Sequence, residues 1–291
     1  MFLPFNVTLA APFVVGLLVL LRLGRRGEGQ LAGVVGQYRR RAGRWRRGGL
    51  AVGLIAAVLL TYGGLLPAGN FWLAGPVFGA CVLAGVLVGE FLVSRPDGTV
   101  RTAVLTPRRM RDYLPRGYGP LLGVLLLALA ALLAVITAAT SRMVGPGGLI
   151  RFACSNGIVF IVSQWSVLSL VLGVLVSVVG GAGVCLLVVR KIVVRPALPA
   201  DAASGTVDDA LRAASAEAVT LAWGSLVAAS LLASALLAGA HFDMLATAPC
   251  NDPGLMPFRV VAYLLVAGSA AALIHLLVRL TRLSGPRGAA A

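Results

Sequence analysis

The sequence is poor in charge and in most residue types that catalytic sites require. Only 12% of its 291 residues are charged, and 59% are hydrophobic. A typical soluble domain carries about 25% charged residues. The chain has two His, four Cys and a single Lys, Lys191, among its 25 basic residues. A folded core of this size cannot hide so much apolar surface from water, so most of that surface must face lipid.

Several functional motifs are missing as well. The chain has no Gly-x-x-x-x-Gly-Lys-Ser/Thr loop for nucleotide phosphates, no His-Glu-x-x-His or Cys-x-x-Cys metal pattern, and no Gly-x-Ser-x-Gly nucleophile turn. These absences exclude a nucleotide-driven motor within the chain and the common hydrolase and metal-site patterns. We therefore expect no cofactor, no metal and no catalytic residues, and an enzyme ranks behind two other function classes.

What the sequence does have is seven apolar segments long enough to cross a bilayer. A hydrocarbon core of about 30 Å needs about 20 helical residues. The segments cover residues 3–21, 49–66, 71–93, 119–140, 165–189, 219–239 and 258–278. They predict an all-α fold, a polytopic membrane helix bundle that forms one transmembrane domain over residues 1–291. A helix that starts near Thr206 is expected to run on into the sixth segment.

The basic residues are concentrated in alternate loops, on one side of the predicted bundle. The 22–48, 94–118 and 190–218 loops and the tail after 278 hold 22 of the 25 Arg and Lys residues. The remaining three, Arg142, Arg151 and Arg259, fall on the opposite side. Because cytoplasmic loops carry the excess of Arg and Lys, this split predicts an outer N-terminus and a cytoplasmic C-terminus. The net charge of +15 thus reflects membrane topology, and no nucleic-acid partner is expected.

The 22–48 loop is basic, and residues 30–47 predict an amphipathic helix in the membrane interface. Apolar residues such as Leu31, Val34 and Tyr38 recur at helical spacing on one face. The basic side chains crowd the other face: Arg39, Arg40, Arg41, Arg44, Arg46 and Arg47. Such a face binds anionic lipids of the inner leaflet. The plainer alternative is that these residues only hold the loop in the cytoplasm.

The outer loops carry two further signals. Runs rich in β-branched residues flank Ser155-Asn156-Gly157, which predicts a β-hairpin, whereas the alternative extends the following helix back over 158–163. Cys154 in this loop and Cys250 in the last outer loop form a candidate disulfide, because the outer compartment can be oxidising.

Three polar residues lie within the predicted spans at similar depth, near the inner leaflet. Glu90 and His275 are ionisable, and such residues at membrane depth are functional candidates. Ser225 lies at the same level. Our hypothesis is that the three converge into one cluster that gates protons or holds a cation, since His titrates near neutral pH. The alternative is that each side chain reaches the inner headgroups separately.

Small residues recur at the spacing used in helix contacts. Gly75-x-x-x-Gly79 and Gly85-x-x-x-Gly89 both fall in the third segment. Small residues four apart let two helix backbones approach closely in a membrane. We therefore expect this segment to be tightly packed.

The composition, the span layout and the Arg-rich loops are similar to those of known bacterial proteins. One such run is Arg108-Arg109-Met110-Arg111-Asp112-Tyr113-Leu114-Pro115. The chain resembles the uncharacterised Arg-rich multi-pass membrane proteins of actinobacteria. This resemblance implies a bacterial plasma membrane and implies no activity, site or partner.

Two function classes remain. The favoured one is a transport component, either autonomous or the permease of a complex whose ATPase is a separate chain. The alternative is a non-catalytic regulator or scaffold that binds a regulatory protein or anionic lipid through its basic loops. Transport predicts a polar path across the bundle, whereas a scaffold predicts an apolar interior with function confined to the loops.

Overall fold

The computed structural model describes residues 34–62, 71–91, 116–143, 149–153, 159–194, 204–246, 254 and 256–283. These residues form six α-helices and one two-stranded hairpin. The elements are α1 (Val34–Tyr62), α2 (Ala74–Phe91), α3 (Gly119–Met143), β1 (Leu149–Ala153), β2 (Val159–Ser163), α4 (Gln164–Val194), α5 (Ser204–Ala246) and α6 (Met256–Arg282). Short 3-10 turns at Phe71–Leu73 and Arg116–Tyr118 lead into α2 and α3.

Five of the six helices, α2 to α6, are long and apolar enough to cross a membrane. Each predicted span from residue 71 onward overlaps one of them. The predicted segment 3–21 lies outside the described residues. The helical fold class and the five apolar helices are those expected of an integral membrane protein.

A single helix, α1, covers both the predicted interfacial helix and most of the second predicted span. The sequence predicts an interfacial helix over residues 30–47 and a separate span over residues 49–66. The structure has one helix of 29 residues instead. Gly49 does not interrupt it, since this glycine is packed against α2.

The centre of the bundle is α5, which contacts α2, α3, α4 and α6. In its membrane-length window 78% of the residues are buried, against 22–44% in the other four apolar helices. Its 43 residues extend about 65 Å at 1.5 Å per residue, far more than the hydrocarbon core requires. The predicted continuation of the helix near Thr206 into the sixth segment is confirmed.

Two glycine pairs on α2 face two different neighbours. Gly75 and Gly79 lie against α5, and Gly85 and Gly89 lie against α1. A Cβ atom added at Gly85 would lie 2.6 Å from the Cα atom of Gly49. The predicted tight packing of this segment is therefore confirmed, and it holds on both sides of one helix.

The predicted β-hairpin is also confirmed. β1 and β2 are antiparallel, with Leu149 opposite Ser163 and Ala153 opposite Val159. The alternative, in which the following helix reaches back over 158–163, is wrong because α4 begins at Gln164. Cys154 and Cys250 lie outside the described residues, so their disulfide stays a prediction.

A buried arginine joins the end of α4 to the start of α5. Arg212 is only 1% exposed. Its Nη1 donates to the carbonyl oxygens of Val193, at 2.9 Å, and Ile192, at 3.3 Å. These carbonyls belong to the last turn of α4. The carbonyl groups of a helix's last turn have no N–H donor within the helix. The positive charge also suits the negative end of the helix dipole, so Arg212 caps α4 from the next helix.

We expect Gly85→Ala to lower the free energy of unfolding by about 1–3 kcal/mol, because the new methyl group must push α1 and α2 apart. The matched control is Gly123→Ala on α3, where an added Cβ has no neighbour within 4 Å. Alanine favours helix over glycine, so the control should be as stable as the parent or slightly more stable. Reversible unfolding of the detergent-solubilised protein measures both. Equal effects of the two variants would contradict the close contact.

We expect Arg212→Met to destabilise the protein by about 1.5–3 kcal/mol, because it removes charge-assisted hydrogen bonds and leaves two buried carbonyls unsatisfied. Arg212→Lys should recover only part of the loss, since an ammonium lacks the planar fork of the guanidinium. The control is Arg282→Met, which removes an exposed arginine at the end of α6. The same unfolding measurement applies. A result as mild as that of the control would mean that the cap adds no stability.

Candidate functional site

Basic side chains are concentrated at one end of the bundle. At this end α1, α3 and α5 begin, and α2, α4 and α6 end. Among the Arg and Lys residues whose side chains the structure describes, ten of eleven lie here: Arg40, Arg41, Arg44, Arg46, Arg47, Arg190, Lys191, Arg212, Arg279 and Arg282. We call this region the basic end. The eleventh, Arg259, lies at the opposite end and pairs with Asp243 at 2.8 Å.

A buried ion pair lies within the basic end. Arg46 Nη2 on α1 is 3.3 Å from Glu90 Oε1 on α2, and their side chains are 9% and 4% exposed. The close glycine contact between the two helices holds them at this distance. Beside the pair, Lys191 Nζ at the end of α4 lies 3.9 Å from the ring centroid of Phe91. Three helix ends are thus joined by charged side chains.

The structure exposes some members of the predicted lipid-facing set on α1. Arg40, Arg41 and Arg44 are exposed, and Arg47 is half-buried, with its Nε donating to the carbonyl of Gly43 at 3.3 Å. Arg39 lies in α1, and its side chain is outside the described part of the chain.

The lipid-facing prediction is wrong for Arg46, which is 8% exposed and points toward α2. Its neighbours at helical spacing, Ala42, Gly49 and Leu50, are buried too. They form a face that packs on α2, and Glu90 supplies the opposite charge there. An amphipathic pattern read for an isolated helix could not reveal this partner.

The structure does not bring Glu90, Ser225 and His275 together. Glu90 pairs with Arg46, and the Ser225 hydroxyl donates to the Leu221 carbonyl of its own helix at 2.9 Å. His275 is exposed on α6. The physical reason is that α5 packs against both α2 and α6 and so separates them. The predicted three-residue cluster therefore does not describe this arrangement.

His275 belongs to a different group of polar residues. This group comes from the turn that leads into α3, from α5 and from the end of α6. The ring centroids of Tyr118 and His275 are 6.4 Å apart. Burial raises the pKa of Tyr118, the Arg279 guanidinium opposes this shift, and the Glu217 carboxylate adds to it. His275 and Arg279 are exposed, whereas Tyr118 and Glu217 are half-buried. We call these four residues the α3–α6 polar group.

Sequence reasoning expected a helix from near Thr206 but gave no role to Glu217 or Arg212, because it began the sixth span at residue 219 and assigned both residues to the cytoplasmic side of it. A useful signal was present in the Ala-rich run over 213–218, which favours helix. An extended helix places Glu217 seven residues, or about two turns, before Gly224. Gly224 packs on Leu122 of α3 and Leu276 of α6, which is the side where Glu217 lies.

The interior along α5 is apolar apart from small hydroxyls. Residues 218–242 of this helix contain no Asp, Glu, Arg or Lys. Thr220 and Ser225 donate to carbonyls of their own helix. Ser230 and Ser234 are fully buried, and their hydroxyls have no hydrogen-bond partner among the described residues. Within the same part of the chain, no three His, Cys, Asp or Glu side chains are grouped so as to hold a metal.

Comparison of the chain with protein-family models, curated proteins and solved structures gives no match. The geometry of the basic end is therefore the basis for inferring function.

Breaking the Arg46–Glu90 pair should destabilise the protein strongly, because it leaves a buried charge without its partner. We expect Glu90→Gln and Arg46→Met each to reduce stability by about 3–5 kcal/mol, and the double variant to lose clearly less than the sum. Arg44→Met, which changes an exposed residue of the same helix, serves as control. Unfolding of all four variants in one detergent measures the coupling. Additive effects would contradict a direct interaction.

Proposed function

We propose that this protein is a non-catalytic scaffold or regulator of the bacterial plasma membrane that binds anionic lipid headgroups through its basic end. The observation that carries the proposal is the concentration of ten of the eleven described basic side chains at one end of the bundle. Under the positive-inside rule this end is cytoplasmic. The proposed topology has an outer N-terminus, seven spans and a cytoplasmic C-terminus.

The binding surface on α1 is defined by the exposed residues Arg40, Arg41 and Arg44. Arg46 does not contribute to it, because Glu90 neutralises its charge inside the helix contact. A basic residue near an anionic membrane surface contributes about 1 kcal/mol, so three together supply roughly 3 kcal/mol. The ion pair and the glycine contact fix α1 against α2, so this surface is held in place without a further ordering cost.

The interior of the bundle supports a scaffold more than a transporter. A transport path needs polar groups along the bundle, whereas residues 218–242 of the central helix carry no Asp, Glu, Arg or Lys. The Arg46–Glu90 pair and the α3–α6 polar group lie at the basic end, and the Arg259–Asp243 pair lies at the opposite end. Function is then concentrated at a membrane surface.

One observation favours the second candidate, a transport component that is autonomous or works with a separate ATPase. The hydroxyls of Ser230 and Ser234 lie one turn apart, fully buried and without a described hydrogen-bond partner. Such groups are suited to a small polar cargo or to water. Gentle extraction from the native membrane distinguishes the candidates: a stoichiometric ATPase that co-purifies favours transport over a scaffold.

We expect the triple variant R40Q/R41Q/R44Q to bind phosphatidylglycerol roughly a hundredfold more weakly than the parent, because three basic contacts are lost. Native mass spectrometry of the delipidated protein with added lipid measures the affinity. The triple Arg→Lys variant retains the charge and should bind nearly as well. Arg259→Gln, at the opposite end, is the control for net charge. Unchanged binding by the triple Gln variant would overturn the proposed surface.

A further inference from the structure

The α3–α6 polar group belongs to other elements than α1 and has a different charge pattern. It combines one carboxylate, Glu217, with one guanidinium, Arg279, and adds the imidazole of His275 and the phenol of Tyr118. The surface on α1 is purely basic by comparison. A ligand that offers both signs of charge is therefore complementary to the whole group.

The group opens toward lipid. His275 lies on a stripe of α6 with Leu264, Gly268 and Ala271, which recur at helical spacing and are all exposed. Leu264 is 66% exposed and has the character of a lipid-facing side chain. His275 therefore faces the same surroundings, one turn before Arg279 and close to the end of α6. That depth corresponds to the headgroups of the adjacent leaflet.

The carboxylate lies on the protein side of the group. Glu217 belongs to the central helix α5 and is half-buried, whereas Arg279 and His275 are exposed at the outer edge. A ligand that enters from the lipid meets the guanidinium and the imidazole first and the carboxylate behind them. Glu217 and Arg279 both act on the pKa of Tyr118, and the ring centroids of Tyr118 and His275 are 6.4 Å apart.

From this arrangement we infer that the α3–α6 polar group binds the phosphoethanolamine headgroup of a zwitterionic phospholipid. Arg279 and His275 hold the phosphate, and the Glu217 carboxylate accepts hydrogen bonds from the ammonium. Guanidinium groups suit phosphate oxygens, and a carboxylate accepts charge-assisted bonds from an ammonium. The Tyr118 ring provides an aromatic face to the same cation.

Two other headgroups fit less well. A choline headgroup has the same charges but no N–H group to donate to Glu217. A glycerol headgroup has the phosphate but no cation, so it offers the half-buried carboxylate only neutral hydroxyl donors and no opposite charge. Selectivity for ethanolamine thus comes from the carboxylate.

The test uses the full chain, delipidated in detergent, with phosphatidylethanolamine, phosphatidylcholine or phosphatidylglycerol added, and native mass spectrometry as readout. We expect the parent to bind the ethanolamine lipid about tenfold more tightly than the choline lipid, the effect of charge-assisted hydrogen bonds. Glu217→Gln should reduce this ratio to near one. Arg279→Gln should weaken the binding of both lipids, whereas Arg282→Gln, on the same helix, should change neither.

Several outcomes overturn the inference. If the parent binds the ethanolamine and choline lipids equally, the carboxylate has no role in selectivity. The same conclusion follows if the Glu217→Gln variant still prefers the ethanolamine lipid. Soluble phosphoethanolamine that saturates the site at the lipid's concentration overturns the lipid assignment. The R40Q/R41Q/R44Q variant should retain the ethanolamine preference while losing phosphatidylglycerol. The failure of either site is therefore distinguishable from the failure of the other.

Discussion

The arrangement of the basic end depends on the close approach of α2 to two neighbours at once. Gly75 and Gly79 allow contact with α5, and Gly85 and Gly89 allow contact with α1. Because there is no room for a side chain between Gly49 and Gly85, the buried face of α1 is pressed onto the last turns of α2. Arg46 then reaches Glu90. Every feature of α1 described above, including which arginines remain exposed, follows from this contact.

The basic end contains two kinds of electrostatic environment. The Arg46–Glu90 pair is sealed from solvent, so its charges largely cancel within the protein. The α3–α6 polar group contains both signs of charge as well, but two of its members are exposed and its carboxylate is only half-buried. The first arrangement fixes two helices together. The second leaves charged groups of both signs accessible to a ligand, whereas the exposed Arg40, Arg41 and Arg44 of α1 offer positive charge alone.

Much of the fold could be predicted from the sequence because it depends on local features. Apolar length indicates the membrane helices, an Asn-Gly between two runs rich in β-branched residues indicates the hairpin, and glycines four apart indicate tight packing. The candidate site depended on which helices are neighbours. Arg46 and Glu90 are 44 positions apart in the chain. No periodicity connects them, and the predicted meeting of Glu90 with His275 failed because α5 lies between their helices.

The buried ion pair also bears on how the chain enters the membrane. α1 carries several arginines and is not among the five described helices apolar enough to cross alone, while α2 carries the acid Glu90 near its end. A charged residue raises the free energy of inserting a helix. Since Arg46 is synthesised before Glu90, its charge is already present when α2 emerges from the ribosome. Insertion of the two helices together as one hairpin would let each charge offset the cost of the other, so the pair would lower the cost of membrane entry as well as stabilise the finished fold.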